Sequence, residues 1–271
     1  MPTYLHANGG QNIIEMMEKE KGIKQIEQRI EKRFRKALTD YQLIADGDHV
    51  LVALSGGKDS LLLLELLAKR SRIFKPRFKV SAVHVRMENI PYESDTRYLE
   101  TFCRALDVEL HVVTTSFSTL QSPLEGKAIG SQKRESSPCF LCSWNRRKQI
   151  FNLAQLLGCN KIALGHHQDD IIHTALMNTV FEGRFSSMPV VLRMKKMPLT
   201  MIRPLALQHE ADIKAYAEAR HYEKQKKLCP YEHETHRAGI ARLFAQIEQT
   251  NPEARYSIWH ALERDGKLTE L

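Results

Sequence analysis

The chain has 271 residues, with 40 lysines and arginines against 32 aspartates and glutamates, so its formal net charge is +8 and its pI is near 9.2. A chain of this length can bury a full core, and its longest apolar runs fall far below a membrane span. Because its start also lacks the apolar core of a signal peptide, we expect no membrane partner and a cytoplasmic location. The basic balance favours a polyanionic partner such as nucleic acid, and five cysteines in a reducing compartment favour metal, cluster or redox chemistry over disulfides.

The first predicted element is an amphipathic helix. Residues 1–10 include Asn8, Gly9 and Gly10 and are typical of a loose terminus. From residue 23 to residue 41, apolar side chains recur at spacings of three and four, and the opposite face is heavily charged, which predicts a helix. The run Asp46-Gly47-Asp48 then separates this helix from the first strand.

A short polar loop lies between the apolar run at residues 50–54 and the leucine-rich residues 61–67, a pattern that predicts strand, loop and helix. The loop consists of Ser55, Gly56, Gly57, Lys58, Asp59 and Ser60. Two glycines let backbone N–H groups turn inward at the helix start, where the helix dipole and Lys58 would attract phosphate. A tight turn without a ligand is the alternative. The loop is not a Walker A motif, because Val52 stands where that motif has its first glycine and Asp59 replaces its Ser/Thr.

Further strands are predicted at residues 78–85 and 108–113, with a helix between them. Strands that alternate with helices indicate parallel βαβ units and a doubly wound α/β sheet. His84 would lie near the carboxyl end of the second strand, where open sheets bind ligands, although a hydrogen-bonded core histidine is the alternative. Residues 114–137 are polar and irregular, which suits a lid, a substrate arm or a disordered connection.

Two cysteines, Cys139 and Cys142, form a CxxC motif at the start of a helix predicted to run through residue 157. Two interpretations of this motif stay open: it ligates a metal or a cluster, or it consists of two unpaired buried thiols. Cys103 and Cys159, by contrast, lie in apolar helical contexts and are interpreted as small buried hydrophobes.

A buried strand at residues 161–164 leads into a polar turn and a helix at residues 171–181. The turn contains Gly165, His166, Asp169 and Asp170. Carboxylates in a first helical turn are common caps, but together with histidines at a strand end they also suit a metal or nucleotide site. A hairpin at residues 188–202 and three helices complete the predicted chain.

Taken together, these motifs resemble the tRNA 2-thiocytidine synthetase family, the cytidine 2-sulfurtransferases that act on the tRNA anticodon loop. The glycine loop resembles the PP-loop of the ATP pyrophosphatases. The resemblance covers roughly residues 34–229 and rests on residues 47–48, 55–60, 139–142, 161–170 and 202–205. It implies an α/β fold with a doubly wound, mostly parallel sheet of the PP-loop ATP pyrophosphatase type. We expect an N-terminal helical segment (1–47), the ATP-binding domain (48–205) and a C-terminal helical segment (206–271).

The resemblance implies that ATP adenylates the C2 oxygen of a pyrimidine in tRNA and that sulfur then displaces AMP. Lys58, Asp59 and Asp169 are the expected catalytic residues, and Asp59 would place Mg²⁺. The expected ATP-binding residues are Ala53, Ser55, Gly56, Gly57, Lys58, Asp59, Ser60, His84, Gly165, His166 and Asp170. The expected partners are tRNA, a cysteine desulfurase or free sulfide as sulfur donor, and a second copy of the chain in a homodimer.

The resemblance also implies a [4Fe-4S] cluster held by Cys139, Cys142 and Cys229, with one iron open to carry sulfide. Family members often have a second CxxC at the third ligand, whereas this chain has Cys229-Pro230-Tyr231-Glu232. Two alternatives stay open at this point. One is another PP-loop enzyme, such as a 2-thiouridine synthetase or an amide-forming ligase. The other is a non-catalytic RNA-binding protein in which His233 completes a zinc site with the three cysteines.

Overall fold

The structure, a computed structural model, describes residues 8–88, 96–116, 138–223 and 236–270, without the side chains of residues 8–19, 138, 139 and 236. The helices in these ranges are α1 (Asn8–Asp40), α2 (Lys58–Ser71), α3 (Thr96–Ala105), α4 (Pro138–Leu156), α5 (Gln168–Glu182), α6 (Glu210–Ala219), α7 (His236–Thr250) and α8 (Ala254–Arg264). The strands are β1 (His49–Ala53), β2 (Lys79–Met87), β3 (Glu109–Thr115), β4 (Lys161–Ala163), β5 (Val191–Arg193), β6 (Thr200–Ile202) and β7 (Thr269–Glu270). No helix in the described ranges is both long enough and apolar enough to cross a membrane.

The strands form one sheet in the order β3-β2-β1-β4-β6-β5-β7. Every neighbouring pair is parallel except β5 and β6, which form the predicted antiparallel hairpin. The chain moves outward from β1 to β2 and β3 on one side and later to β4 and β6 on the other. Open parallel sheets bind ligands where the strand order reverses in this way. The doubly wound, mostly parallel α/β fold is therefore confirmed, and the expected ligand crevice lies at the carboxyl ends of β1 and β4.

Apolar side chains pack on both faces of the sheet. Val50 and Val52 of β1 belong to the larger core, which also contains Ile30 of α1 and the leucines of α2. Leu51 points to the other face and belongs to a smaller core that includes Ala154 of α4. Burial on both faces explains why β1 reads as a continuous apolar run, and each fully buried leucine contributes about 1.5–3 kcal/mol to stability.

Asp48 fixes the start of the central strands. Its carboxylate accepts hydrogen bonds from the Ala45 N–H at 2.6 Å and the Asn160 side chain at 2.7 Å, and it pairs with Lys161 at 2.8 Å. Burial would raise the pKa of Asp48, but these bonds hold it below its ordinary value. Gly47 has a φ of +83°, which favours glycine at the turn before β1. The Gly47-Asp48 motif thus joins the starts of β1 and β4.

Glu65 connects α2 to the C-terminal helices. This buried carboxylate accepts hydrogen bonds from the hydroxyls of Tyr216, at 2.8 Å, and Tyr222, and it pairs with Lys69 at 2.6 Å and Arg220 at 3.2 Å. Burial would raise the pKa of Glu65, but the donors from Lys69 and the two tyrosines lower it. A charged buried group with this many donors stabilises the packing of α6 against the helix that follows the glycine loop.

Two expectations about the termini were wrong. Helix α1 already begins at Asn8, where we expected a loose terminus. Residues 11–21 are rich in good helix formers, so propensity extends the helix well before the amphipathic part. Strand β7 was not expected, because its two residues are too short to show an alternating pattern, and it pairs in parallel with β5. Most of the irregular segment 114–137 lies outside the described residues, and the three-segment division of the chain stays a prediction.

Replacing Glu65 with glutamine should lower the free energy of unfolding by about 2–4 kcal/mol, since the buried tyrosine hydroxyls lose a charged acceptor. Urea denaturation followed by circular dichroism measures this. The matched control is Asp40→Asn, which removes the exposed i,i+4 pair with Lys36 and should cost no more than about 0.5 kcal/mol. Equal losses in the two variants would contradict the proposed role of Glu65.

The pH dependence of this contribution has a definite sign. The pKa of Glu65 in the folded protein lies below its ordinary value of 4.5. Its contribution is therefore complete above about pH 4.5 and is lost as the pH falls through the lower, folded value. The Glu65→Gln variant should accordingly lose less stability than the wild type when the pH is lowered from about 5 to about 3.

Candidate active site

The glycine loop presents uncapped backbone N–H groups at the start of α2. Gly56 has a φ of +82°, a left-handed conformation that favours glycine, and Gly57 is the N-cap of α2 without a side-chain cap. Ser60 donates a hydrogen bond to the carbonyl of Gly57 at 2.9 Å, and the hydroxyls of Ser55 and Ser60 lie 3.1 Å apart. Because the serines brace the loop from within, the first N–H groups of α2 stay available for an anion.

Lys58 and Asp59 form a charged pair beside these N–H groups. The Nζ atom of Lys58 lies 3.1 Å from Oδ1 of Asp59 and 3.2 Å from the Glu210 carboxylate of α6. Burial would lower the pKa of Lys58, but the two carboxylates raise it, so the amine is charged. The Oδ1 atom of Asp59 is buried and accepts no hydrogen bond from the described residues. Such an oxygen suits Mg²⁺, which needs only one or two protein carboxylates when it is also bound to phosphates.

The turn after β4 packs directly against the glycine loop. A Cβ atom on Gly165 would lie 3.1 Å from the backbone carbonyl carbon of Asp59 and from the backbone nitrogen of Ser60. Only glycine allows this approach without a shift of the backbone. Two segments that are distant in sequence therefore build one site.

His167 lies among three carboxylates in this site. Its ring nitrogens are 3.8 Å from Asp59 and 3.5 Å from both Asp169 and Asp170. Burial would lower the pKa of His167, but the nearby carboxylates of Asp169, Asp170 and Asp59 raise it. The sequence motif included His167 in the histidine pair that suits a metal or nucleotide site, but sequence reasoning assigned individual roles only to its neighbours.

Asp169 has both oxygens engaged with the protein. Oδ2 accepts the backbone N–H of Glu210 at 2.8 Å, and Oδ1 pairs with Arg255 of α8 at 2.8 Å. Arg255 also contacts Glu248 of α7 at 2.9 Å. Burial would raise the pKa of Asp169, but His167 and Arg255 hold it far below its ordinary value. These contacts connect the site to the C-terminal helices, and the expected catalytic role of Asp169 stays a prediction.

His84 supports the end of β1 from the neighbouring strand. Its Nδ1 atom donates a hydrogen bond to the carbonyl of Leu54 at 2.8 Å, and the side chain is buried, so burial lowers the pKa and the ring is neutral. Its Nε2 atom has no partner among the described residues. Ala53 is the last residue of β1 and leads into the same turn. Contact of His84 or Ala53 with the nucleotide stays a prediction.

His166 and Asp170 lie on the more open side of the turn. Burial and the charge of Arg203 lower the pKa of His166 to about 4, so its ring is neutral at neutral pH. Asp170 is 3.4 Å from Arg237 of α7. These two side chains and the glycine loop lie at the same edge of the sheet.

The cysteines divide into two groups. Cys103 and Cys159 are buried, and burial raises their thiol pKa values to about 12 and about 11, so both are protonated apolar residues. Cys142 is half-buried in the first turns of α4, where it packs against the smaller core. The Cys139 side chain and all of Cys229 and His233 lie outside the described residues. Within the described part of the chain, no three His, Cys, Asp or Glu side chains form a preformed metal site.

The reversed strand order at β1, the uncapped glycine loop and the adjoining Gly165 turn define a PP-loop protein. The PP-loop domain family matches residues 25–225. The tRNA-cytidine(32) 2-sulfurtransferase of Teredinibacter turnerae (strain ATCC 39867 / T7901) is 34% identical over 244 residues, which are 88% of this chain and 76% of that protein. The enzyme of the same name from Pseudomonas putida (strain GB-1) is 33% identical over 242 residues, covering 87% and 84%.

The chain therefore belongs to the tRNA-cytidine(32) 2-sulfurtransferase family of PP-loop proteins, as the motifs indicated. Among solved structures, the U34-tRNA thiolase NcsA from Methanococcus maripaludis with its [4Fe-4S] cluster has a TM-score of 0.70. It is 24% identical, and the match covers 90% of this chain and 80% of that one. This likeness confirms the fold.

Proposed function

We propose that the protein is an ATP-dependent tRNA sulfurtransferase that converts cytidine 32 of the anticodon loop to 2-thiocytidine. The observation that carries the proposal is the uncapped start of α2 beside Asp59 and His167, in a chain of this family. A reaction on tRNA is consistent with the expected cytoplasmic location. The homodimer stays a prediction.

The first chemical step makes the cytidine C2 oxygen a good leaving group. This oxygen attacks the α-phosphorus of ATP, the bond from that phosphorus to the bridging oxygen breaks, and pyrophosphate leaves. The N–H groups at the start of α2 and the charge of Lys58 stabilise the departing pyrophosphate. In a second step sulfur attacks C2 and AMP departs with the former C2 oxygen.

The residues around the loop keep its charges in place. The Oδ1 atom of Asp59 accepts no hydrogen bond from the described residues, although it lies 3.1 Å from the Lys58 amine, and it would hold Mg²⁺ on the phosphates. The network from His167 through Asp169 to Arg255 orients the turn after β4 against the loop. A site that is arranged before ATP arrives does not have to reorganise during the reaction.

We further propose that Cys139, Cys142 and Cys229 hold a [4Fe-4S] cluster. The partial exposure of Cys142 fits a ligand, whereas the burial and raised pKa values of Cys103 and Cys159 do not. A cluster with three protein thiolates would supply an iron that carries sulfide. Either a cysteine desulfurase or free sulfide would be the source of this sulfur.

Helix α4 provides a surface for the RNA. Because α4 precedes the parallel strand β4, its first half lies at the carboxyl edge of the sheet, beside the site. Phe140, Trp144 and Lys148 are exposed at spacings of four, and the Lys148 amine lies 5.4 Å from the centre of the Trp144 ring. Aromatic rings with adjacent cations bind unpaired bases by stacking and phosphates by charge. This face suits the single-stranded loop that contains the target cytidine.

The function is tested by incubating purified protein anaerobically with ATP, Mg²⁺, sulfide and unmodified tRNA. Nucleoside mass spectrometry should find 2-thiocytidine at position 32, and AMP and pyrophosphate should form in equal amounts. Lys58→Ala should lower turnover by about 100-fold or more, because a charged contact to the leaving group is lost, whereas Lys36→Ala on α1 should not. Release of ADP and phosphate, or thiolation of a uridine instead, would contradict the proposal.

The cysteine assignment is tested by iron content after anaerobic reconstitution. Alanine in place of Cys139, Cys142 or Cys229 should remove most of the iron and the brown colour and should leave ATP binding intact. Cys103→Ser and Cys159→Ser are the matched controls and should retain the cluster. A Cys229 variant with full iron content and activity would refute three-cysteine ligation, and zinc in the purified protein would favour the zinc alternative.

Trp144→Ala should weaken tRNA binding by about 5- to 100-fold, the loss expected for one base–aromatic stack. The matched control is Phe74→Ala, since Phe74 is also an exposed ring with a cation over it, Arg77 at 4.4 Å, but follows the far end of α2 at the opposite edge of the sheet. Filter binding at several salt concentrations measures both. The salt slope should change little in the Trp144 variant, because the phosphate contacts remain. Equal effects of the two substitutions would exclude α4 as the RNA surface.

A further inference from the structure

Arg203 lies at the carboxyl edge of the sheet. It directly follows β6, whose last residue, Ile202, pairs with Ala163 of β4. Strand β4 in turn pairs with β1, which leads into the glycine loop. Since neighbouring strands lie about 4.8 Å apart, Arg203 is roughly 10 Å along the edge from the end of β1.

The guanidinium of Arg203 is buried without a counter-ion. The residue is only 5% exposed, and one terminal nitrogen donates to the carbonyl of Pro189. Its Nε atom has no hydrogen-bond partner, and no carboxylate in the described residues forms an ion pair with it. Arg255 is a useful contrast, because it is similarly buried but pairs with both Asp169 and Glu248.

The surroundings of Arg203 carry an excess of positive charge. Arg147 and Asp170 are the charged residues that act on it, and burial together with the charge of Arg147 lowers the pKa of Arg203 to about 10, so it remains protonated. Asp170 is already in contact with Arg237 and His167. The Nδ1 atom of His166, which lies under the influence of the same guanidinium, is also buried without a partner.

A buried charge without a counter-ion is costly, and a folded protein that keeps one has a use for it. Arginine binds the oxygens of a phosphate with two parallel N–H donors. The glycine loop already provides for the pyrophosphate end of ATP, and Arg203 lies farther along the same edge, beyond β4. The nucleotide is small enough to reach the guanidinium of a residue that is only 5% exposed, whereas an RNA backbone phosphate is held on a bulky duplex or loop.

We infer that Arg203 forms a second anion subsite, separate from the glycine loop, which holds the α-phosphate of the nucleotide. This inference rests on the proposed function and assigns different phosphates of ATP to the two anion subsites. The loop and Lys58 hold the pyrophosphate that leaves, and Arg203 holds the phosphate that stays in the adenylated base and departs with AMP. Arg203 would contact the nonbridging oxygens of the α-phosphate. These oxygens keep their negative charge while the C2 oxygen bonds to the α-phosphorus and pyrophosphate leaves.

The test compares the binding of two reaction products, AMP and pyrophosphate, by titration calorimetry on the purified full chain. Arg203→Met should weaken AMP binding by about 10- to 100-fold and change pyrophosphate binding by less than about threefold, as expected for the loss of one charged hydrogen-bonded contact. Lys58→Ala should show the opposite selectivity. Arg203→Lys, which keeps the charge but not the paired donors, should bind AMP with an intermediate affinity.

The melting temperature without ligand separates a binding role from a structural one. Arg203→Met removes an uncompensated buried charge, so its melting temperature should equal or exceed that of the wild type. Arg255→Met, the matched control, breaks a paired network and should melt at a lower temperature.

Three results would overturn the inference. One is an Arg203→Met variant that melts as low as Arg255→Met and binds AMP normally. Another is an equal loss of AMP and pyrophosphate binding, and the third is a wild type that binds no AMP. If the wild type thiolates cytidine 32 and the Arg203 variant still binds AMP, only the inference fails. If AMP binding depends on Arg203 but no tRNA is thiolated, the subsite stands and the proposed function fails.

Discussion

The close approach of Gly165 to the start of α2 is the contact on which the site depends. The glycine loop follows β1 and the acidic turn follows β4, and these strands are neighbours only because the strand order reverses at β1. The absence of a side chain at Gly165 lets the two backbones touch. That contact brings His167 within 3.8 Å of Asp59 and sets Asp169 beside the same ring. Without this contact, the glycine loop and the acidic turn after β4 would lie at the same edge of the sheet without forming one site.

The charges in the site are mostly paired, which makes the exception informative. Asp169 lies in a network with Arg255 and Glu248, and Lys58 lies between Asp59 and Glu210. Such pairs compensate for the cost of removing charges from water. Arg203 has no such compensation, although it is among the more deeply buried arginines described. An apolar residue at position 203 would therefore make the folded protein without nucleotide more stable than the wild type. Such a loss of stability is common where a binding site is built before its ligand arrives.

The C-terminal helices contribute to the site and do more than extend the sheet domain. Each of these helices contacts the site. Glu210 of α6 contacts the glycine loop, and Arg237 of α7 and Arg255 of α8 contact the acidic turn. Glu65 secures α6 against α2 through Tyr216, and α2 is the helix that follows the glycine loop. The functional unit thus extends past residue 205, where the expected ATP-binding domain ends. A change in the packing of these helices would therefore move Glu210 beside the glycine loop and Arg255 beside the acidic turn.

The sequence by itself determined the strand, loop and helix around residues 55–60, the doubly wound sheet and the family. These features depend on local periodicity, on short spacings and on motifs whose residues are close together in the chain. It also separated Cys103 and Cys159 from the candidate ligands, because an apolar helical context is visible locally. Only the tertiary structure decided which charges are paired. Asp169 and Arg255 are brought together by packing between distant helices, and the lack of a carboxylate beside Arg203 depends on all the residues that surround it. Neither the ion pair nor the unpaired charge can be predicted from a local sequence pattern, because both depend on distances between residues that are far apart in the chain.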